Sequence, residues 1–133
     1  RPMIAAKAGA IVNVGSVAGH RASPGQATGK MVFSPDEVVR LAAEGESVIF
    51  VRIETDSEDM PALRVATGIV TTRGGLTSDA AIVARSLGKP CIAGCSSLVV
   101  SYADETLSVR GGVTLKKHHV LSIDGSRGLI FAD

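Results

Sequence analysis

Apolar and polar positions change their spacing along the chain, and each change marks an element. Ala27 to Phe33 alternates as a strand does, after the turn signal Ser23-Pro24-Gly25. Ser34-Pro35-Asp36-Glu37 has the form of a capping box, with Ser34 at N-cap, Pro35 at the first helical position and Glu37 at the third. Val38, Leu41 and Ala42 then recur at helical spacing until Gly45 closes the helix. The apolar run Val48-Ile49-Phe50-Val51 predicts a strand over 47–53, and Gly68-Ile69-Val70-Thr71-Thr72 predicts another. Between them a short helix is expected over 58–65. A third helix is expected from Asp79 to Leu87, with Ala80, Val83, Ala84 and Leu87 as its apolar face and Gly88 as its stop. Short strands are predicted at 90–93, 106–109, 113–115 and 120–123, and Asp124-Gly125 turns into a last one over 129–131.

Residues 1–20 show no clean period. They read as a linker or N-terminal segment, with one apolar strand around 10–14, and the domain proper as 21–133. The opening Arg1-Pro2-Met3 is not an initiator methionine, so the chain reads as cut from something longer. The succession of strand and helix, followed by hairpin-linked strands, predicts a mixed α/β domain with two β layers.

Composition narrows the partners. The 133 residues carry 14 Lys+Arg and 13 Asp+Glu, a formal net charge of +1. That balance argues against nucleic acid or an anionic membrane surface as the main partner. No apolar run approaches the roughly 20 residues that cross a bilayer, and no signal-like stretch opens the chain. Aromatic residues are confined to Phe33, Phe50, Tyr102 and Phe131, so stacking platforms for single-stranded nucleic acid are absent. Cys91 and Cys95 lie four apart with no further pair of ligands at a suitable spacing. They read as two buried, reduced thiols in a cytoplasmic protein, and no metal site is expected. His20, His118 and His119 read as a loop residue and a strand or turn pair.

The chemistry concentrates where a strand runs into Gly74-Gly75 and Thr77-Ser78 opens a helix. Glycines admit close approach of another molecule, and the first amides of a helix are unpaired donors at a positive dipole end. Gly74, Gly75, Thr77 and Ser78 are therefore candidate phosphate-binding residues. The plainer alternative is a strand-to-helix turn capped by Thr77 or Ser78, with Asp79 stabilising the first turn.

The longer context is more specific. Thr72-Arg73-Gly74-Gly75-Leu76-Thr77-Ser78-Asp79-Ala80-Ala81-Ile82-Val83-Ala84-Arg85 resembles the signature of the phosphohistidine domain of the pyruvate phosphate dikinase family. The likeness runs on through Gly88-Lys89-Pro90-Cys91-Ile92-Ala93-Gly94-Cys95. It also includes Ala22-Ser23-Pro24-Gly25, Val51-Arg52-Ile53-Glu54-Thr55 before Glu58-Asp59, and Ser122-Ile123-Asp124-Gly125. The resemblance implies a swivelling β/β/α domain with mixed β layers and flanking helices. It implies an ATP-binding domain and a phosphoenolpyruvate-binding barrel as partners in the same parent chain, with Mg²⁺ and ATP held by those neighbours and no cofactor by this domain.

The resemblance also implies a histidine that shuttles a phosphoryl group, and that position aligns with Asp79. Four readings of Asp79 stand: an unusual acyl-phosphate carrier, a charge that imitates the phosphorylated state, a plain helix-start carboxylate after loss of transfer, or an engineered substitution. Ser57 and His20-Arg21 depart from the family pattern as well. Thr77 matches the threonine phosphorylated in plant dikinases, which makes it a regulatory candidate or only a cap. Arg85 and Lys89 could steady phosphate or meet acidic partner surfaces. The expected function is that of a phosphocarrier-position domain that does not carry phosphate, with a non-catalytic docking module as the alternative.

Overall fold

A computed structural model describes residues 11–13, 26–73, 79–95, 98–109, 114–125 and 129–132. Strands β1 (Ile11–Asn13), β2 (Gln26–Val32), β3 (Val48–Arg52), β4 (Gly68–Thr71), β5 (Cys91–Ile92), β9 (Val120–Asp124) and β10 (Leu129–Ala132) form one sheet in the order β1-β10-β9-β2-β3-β4-β5. Strands β2 to β5 are parallel, and β9, β10 and β1 add antiparallel on the far side. Strands β6 (Leu98–Ser101), β7 (Thr106–Val109) and β8 (Thr114–Lys116) form a second, antiparallel sheet. Helices α1 (Pro35–Ala43), α2 (Met60–Val65) and α3 (Asp79–Leu87) connect the parallel strands.

Alternation within single strands shows how three layers arise. In β3, Ile49 and Val51 enter a core shared with Leu98, Val100, Leu107 and Leu115 of the small sheet. Their neighbours Val48 and Phe50 enter a second core with Val38, Leu41, Leu63 and Ala84 of the helices. Met31 and Val32, Val70 and Ile69, and Ile92 and Cys91 divide the same way. Successive strand residues point to opposite faces, so a strand covered on both sides must be apolar throughout. That is why Val48 to Val51 is an unbroken apolar run. The fold is the β/β/α arrangement expected from the sequence, with the large mixed sheet as the central layer.

Several local expectations are corrected. Ser34 makes no side-chain cap, and its carbonyl takes the Val38 amide instead at 3.0 Å. Glu37 is engaged elsewhere: His118 Nε2 lies 2.8 Å from its Oε2, and Lys117 Nζ 3.6 Å from its Oε1. The helix expected over 58–65 divides into a 3-10 turn, Ser57–Asp59, and α2. A reciprocal cap forms there, with Asp56 Oδ1 accepting from the Glu58 amide at 2.9 Å and Asp59 Oδ2 from the Asp56 amide at 3.1 Å. Strand β6 adds to the expected strands; its exposed residue is Val99, between buried Leu98 and Val100, so the sequence there carries no polar–apolar alternation. Leu87 is 47% exposed, so the apolar face of α3 ends at Ala84 and half-buried Val83.

Candidate functional site

The carboxyl ends of β2 to β5 share one edge, where open α/β sheets bind ligands. Strand β4 ends there at Thr71, and α3 begins at Asp79. Gly74, Gly75, Thr77 and Ser78 lie between them, outside the described residues. Asp79 is the first residue of α3, and its side chain and that of Arg85 also lie outside the description. The strand-to-helix frame expected around the glycines is therefore present, and the described part of the site is its stem and surroundings.

The stem is tied on two sides. On the β3 side, the Ile53 carbonyl accepts from the Arg73 amide at 2.9 Å, from the Thr72 amide at 3.2 Å and from the Thr72 hydroxyl at 3.3 Å. On the β5 side, the buried Thr71 hydroxyl donates to the Arg73 carbonyl at 2.9 Å and accepts from the Gly94 amide at 3.2 Å. The Thr71 carbonyl takes the Cys95 amide at 2.9 Å. Arg73, the last described residue before the glycines, is thus held at both of its main-chain polar atoms.

Behind this stem lies an arginine anchor. Arg52, at the end of β3, donates from Nη1 to the Phe33 carbonyl at 2.9 Å and packs under Tyr102, 4.4 Å from the ring centroid. Its Nε faces the buried Asp59 carboxylate at 3.8 Å, an ion pair rather than a hydrogen bond. Tyr102 in turn accepts the Ile53 amide at its hydroxyl, 2.6 Å away. The turn that follows β6 therefore reaches the site through the Tyr102 side chain. On the exposed rim, Arg73 and Glu54 pair at 3.9 Å.

Other candidates fall elsewhere. Lys89 donates from its ammonium to the Ala66 carbonyl at the amino ends of the strands, the edge opposite the stem. Burial pushes its pKa below the usual 10.5. Lys117 moves the other way, held protonated by its hydrogen bond to Glu105 and by the Glu37 charge. Cys91 is buried in the helix-side core and Cys95 in the sheet-side core, on opposite faces. His118 sits in a turn with φ of 73° and is committed to Glu37. His20 lies outside the described residues. Among the described residues no cluster of His, Cys, Asp and Glu is arranged to hold a metal ion, and no helix is long and apolar enough to cross a membrane. Sequence reasoning missed Thr71, Arg52, Asp59 and Tyr102. The available signal was a polar side chain at the end of each apolar strand run, and the lone tyrosine of the chain.

Comparison with known proteins agrees with this frame. Residues 44–128 match the family model described as "PEP-utilising enzyme, mobile domain". Pyruvate, phosphate dikinase of Rhizobium meliloti is 51% identical over 109 residues, covering 82% of this chain. The Rickettsia bellii dikinase is 46% identical over 110 residues and covers 83%, and dikinase 2 of Zea mays is 45% identical over 107 residues and covers 80%. The chain spans 12% of the length of each of these relatives. On the family match and the β/β/α architecture together, this chain belongs to the mobile domains of PEP-utilising enzymes and is homologous to that of pyruvate, phosphate dikinase.

Proposed function

We propose that this chain occupies the phosphocarrier position of a pyruvate phosphate dikinase-like phosphotransferase and does not itself carry phosphate, because Asp79 stands where the family's histidine is expected. The supporting observation is that Asp79 opens α3 on the connection that leaves the carboxyl end of β4. A nucleophile presented there projects from an anion-friendly helix start between partners that supply the rest of the chemistry. Neutral imidazole suits that task near pH 7, since one ring nitrogen is nucleophilic and the adduct is transferable. A carboxylate at the same place is shorter, and its own charge opposes an incoming phosphoryl group. Displacement of the attacking atom by about 1 Å costs on the order of a hundredfold in rate.

In this reading Gly74, Gly75, Thr77 and Ser78 line the phosphate cradle, and Thr77 is also the regulatory candidate. Residues 21–133 form the swivelling domain, and 1–20 form a linker or N-terminal segment that contributes β1. The partners are the ATP-binding domain and the phosphoenolpyruvate-binding barrel of the parent, which hold ATP and Mg²⁺, in the cytoplasm. A docking module derived from the family is the second reading. It is favoured by Ile82 and Leu87 on α3, which stay 46% and 47% exposed on the helix that would carry the nucleophile.

Transplantation tests the first reading. The matching segment of the Rhizobium meliloti dikinase is replaced by this chain, with Asp79 or with Asp79→His, and phosphoenolpyruvate formation is assayed. Turnover is expected only in the Asp79→His chimera. Turnover with Asp79 overturns the loss of carrying. Turnover with neither, in folded chimeras, favours the docking module.

A further inference from the structure

We propose that the hydroxyls of Thr71 and Tyr102 are positioning groups that hold Thr72 and Arg73 where the glycine segment leaves β4. This rests on the carrier-position reading above, because it assigns a task to the stem of the same frame. Three observations carry it, and all lie in described residues.

The first is the choice of side chain at position 71. Thr71 is 1% exposed in an otherwise apolar strand, where valine would fill the same space. A buried hydroxyl without partners is costly, so its retention calls for the bonds it makes. Thr71 uses both capacities of its hydroxyl: it donates to Arg73 and accepts from Gly94. It thereby fastens the exit of β4 to the exit of β5.

The second observation is the Ile53 carbonyl, which gathers three donors from Thr72 and Arg73. A carbonyl that organises two residues of another strand's exit must itself be fixed. The third observation supplies that restraint: the Tyr102 hydroxyl takes the Ile53 amide while its ring lies over Arg52. Two hydroxyls from different layers therefore converge, through main-chain atoms, on Arg73. Both act through main-chain atoms of the stem, so both are positioning residues. Loss of either is expected to loosen the stem without dismantling the cores.

The test uses the ¹⁵N-labelled chain with Thr71→Ser, Thr71→Val and Tyr102→Phe. Backbone order parameters are measured at Thr72 and Arg73, and at Leu107 and Leu115 of the small sheet as reference. The parent chain and Thr71→Ser, which keeps the hydroxyl, are expected near 0.85 at the stem, and Thr71→Val below about 0.6. Tyr102→Phe is expected to fall between them, and it provides an independent arm at a partly exposed residue if Thr71→Val does not fold. The reference residues should not move. A stem as rigid without the hydroxyls as with them overturns the proposal. So does equal loosening of stem and small sheet, which would mark a general structural role, or a stem already loose in the parent chain. Titration with inorganic phosphate separates the underlying reading. Amide shifts at 74–78 that weaken about tenfold in Thr71→Val support both claims. No shift in the parent chain overturns the phosphate frame, while the order parameters still decide the positioning claim.

Discussion

The carboxyl ends of β3 and β4 are braced by the buried polar side chains Asp59 and Thr71, whereas β3 and β5 are entered at their amino ends from left-handed glycines, beside the partly buried Thr67 and Lys89. Gly45 and Gly88 close α1 and α3 with φ of 84° and 68°, in the left-handed region open to glycine at little cost. Main-chain bonds then lead into the strands, from Lys30 to Ser47, Thr67 to Val48 and Ile69 to Pro90. At the other end Asp59 and Thr71 are buried, Arg52 pairs with Asp59, and the Tyr102 ring stacks on Arg52. A third buried polar residue, Asp124, lies at the amino end of β2 beside Gln26, whose Nε2 is 3.3 Å from its Oδ2. The difference shows that one fold uses cheap, tolerant turns where the chain only reverses. It uses specific, buried polar groups where β3 and β4 end.

Removing the Asp59 carboxylate should break the comparison most severely. Asp59→Ala leaves Arg52 half-buried beside an empty space and takes away the cap on the Asp56 amide. A loss of about 3 kcal/mol is expected, since stranding one partner of a buried ion pair is costly. Urea unfolding measures it, and a loss under about 1 kcal/mol would show that the anchor matters little.

At the amino ends the expected weak point is a close approach rather than a polar group. A Cβ at Gly29 would stand 2.6 Å from the carbonyl carbon and oxygen of Ser47, which are main-chain atoms and cannot swing aside. Gly29→Ala should cost about 2 kcal/mol through forced displacement of the β3 entry. Its effect should spare the stem: Thr72 and Arg73 amides keep their chemical shifts while those of Lys30 and Val48 move.

The two perturbed lysines give the smallest and most direct contrast, because their signs are opposite. Lys117 has its folded-state pKa raised above 10.5, so its stabilisation is complete below that pH and is lost as pH rises through the folded value. Lys89 has its folded-state pKa lowered, so its charged form opposes folding at neutral pH. That cost is relieved as pH climbs from the lowered value towards 10.5. Relative to the parent chain, Lys117→Met should therefore be less stable at pH 8, and the gap should close above pH 10.5. The relative stability of Lys89→Met should instead decline with pH across the window below 10.5. Parallel urea titrations from pH 7 to pH 11 check both slopes.

The fold was largely legible because its signals are local and repeated. Unbroken apolar runs such as Val48 to Val51 mark strands covered on both faces, and helical spacing in Val38 and Leu41 marks the faces that cover them. The strand and the helix on either side of the glycine segment were legible as well. What could not be read depends on groups far apart in sequence. The Ser34 capping box fails because Lys117 and His118, eighty residues away, claim Glu37. The stem network joins Ile53 to Tyr102 and Thr71 to Gly94, pairings that no spacing rule reports. Lys89 looked available beside the motif, yet the register of β5 against β4 places it at the opposite end.

The central claim is that the carrier frame is present and the carrier absent, and labelling tests it most directly. The dikinase chimeras with Asp79 and Asp79→His are incubated with labelled phosphoenolpyruvate, and bound label is examined for acid lability and for its position in the chain. The account predicts acid-labile label at position 79 in the Asp79→His chimera and none in the Asp79 chimera. Label on Asp79 itself would contradict it, as would a folded Asp79→His chimera that takes up no label.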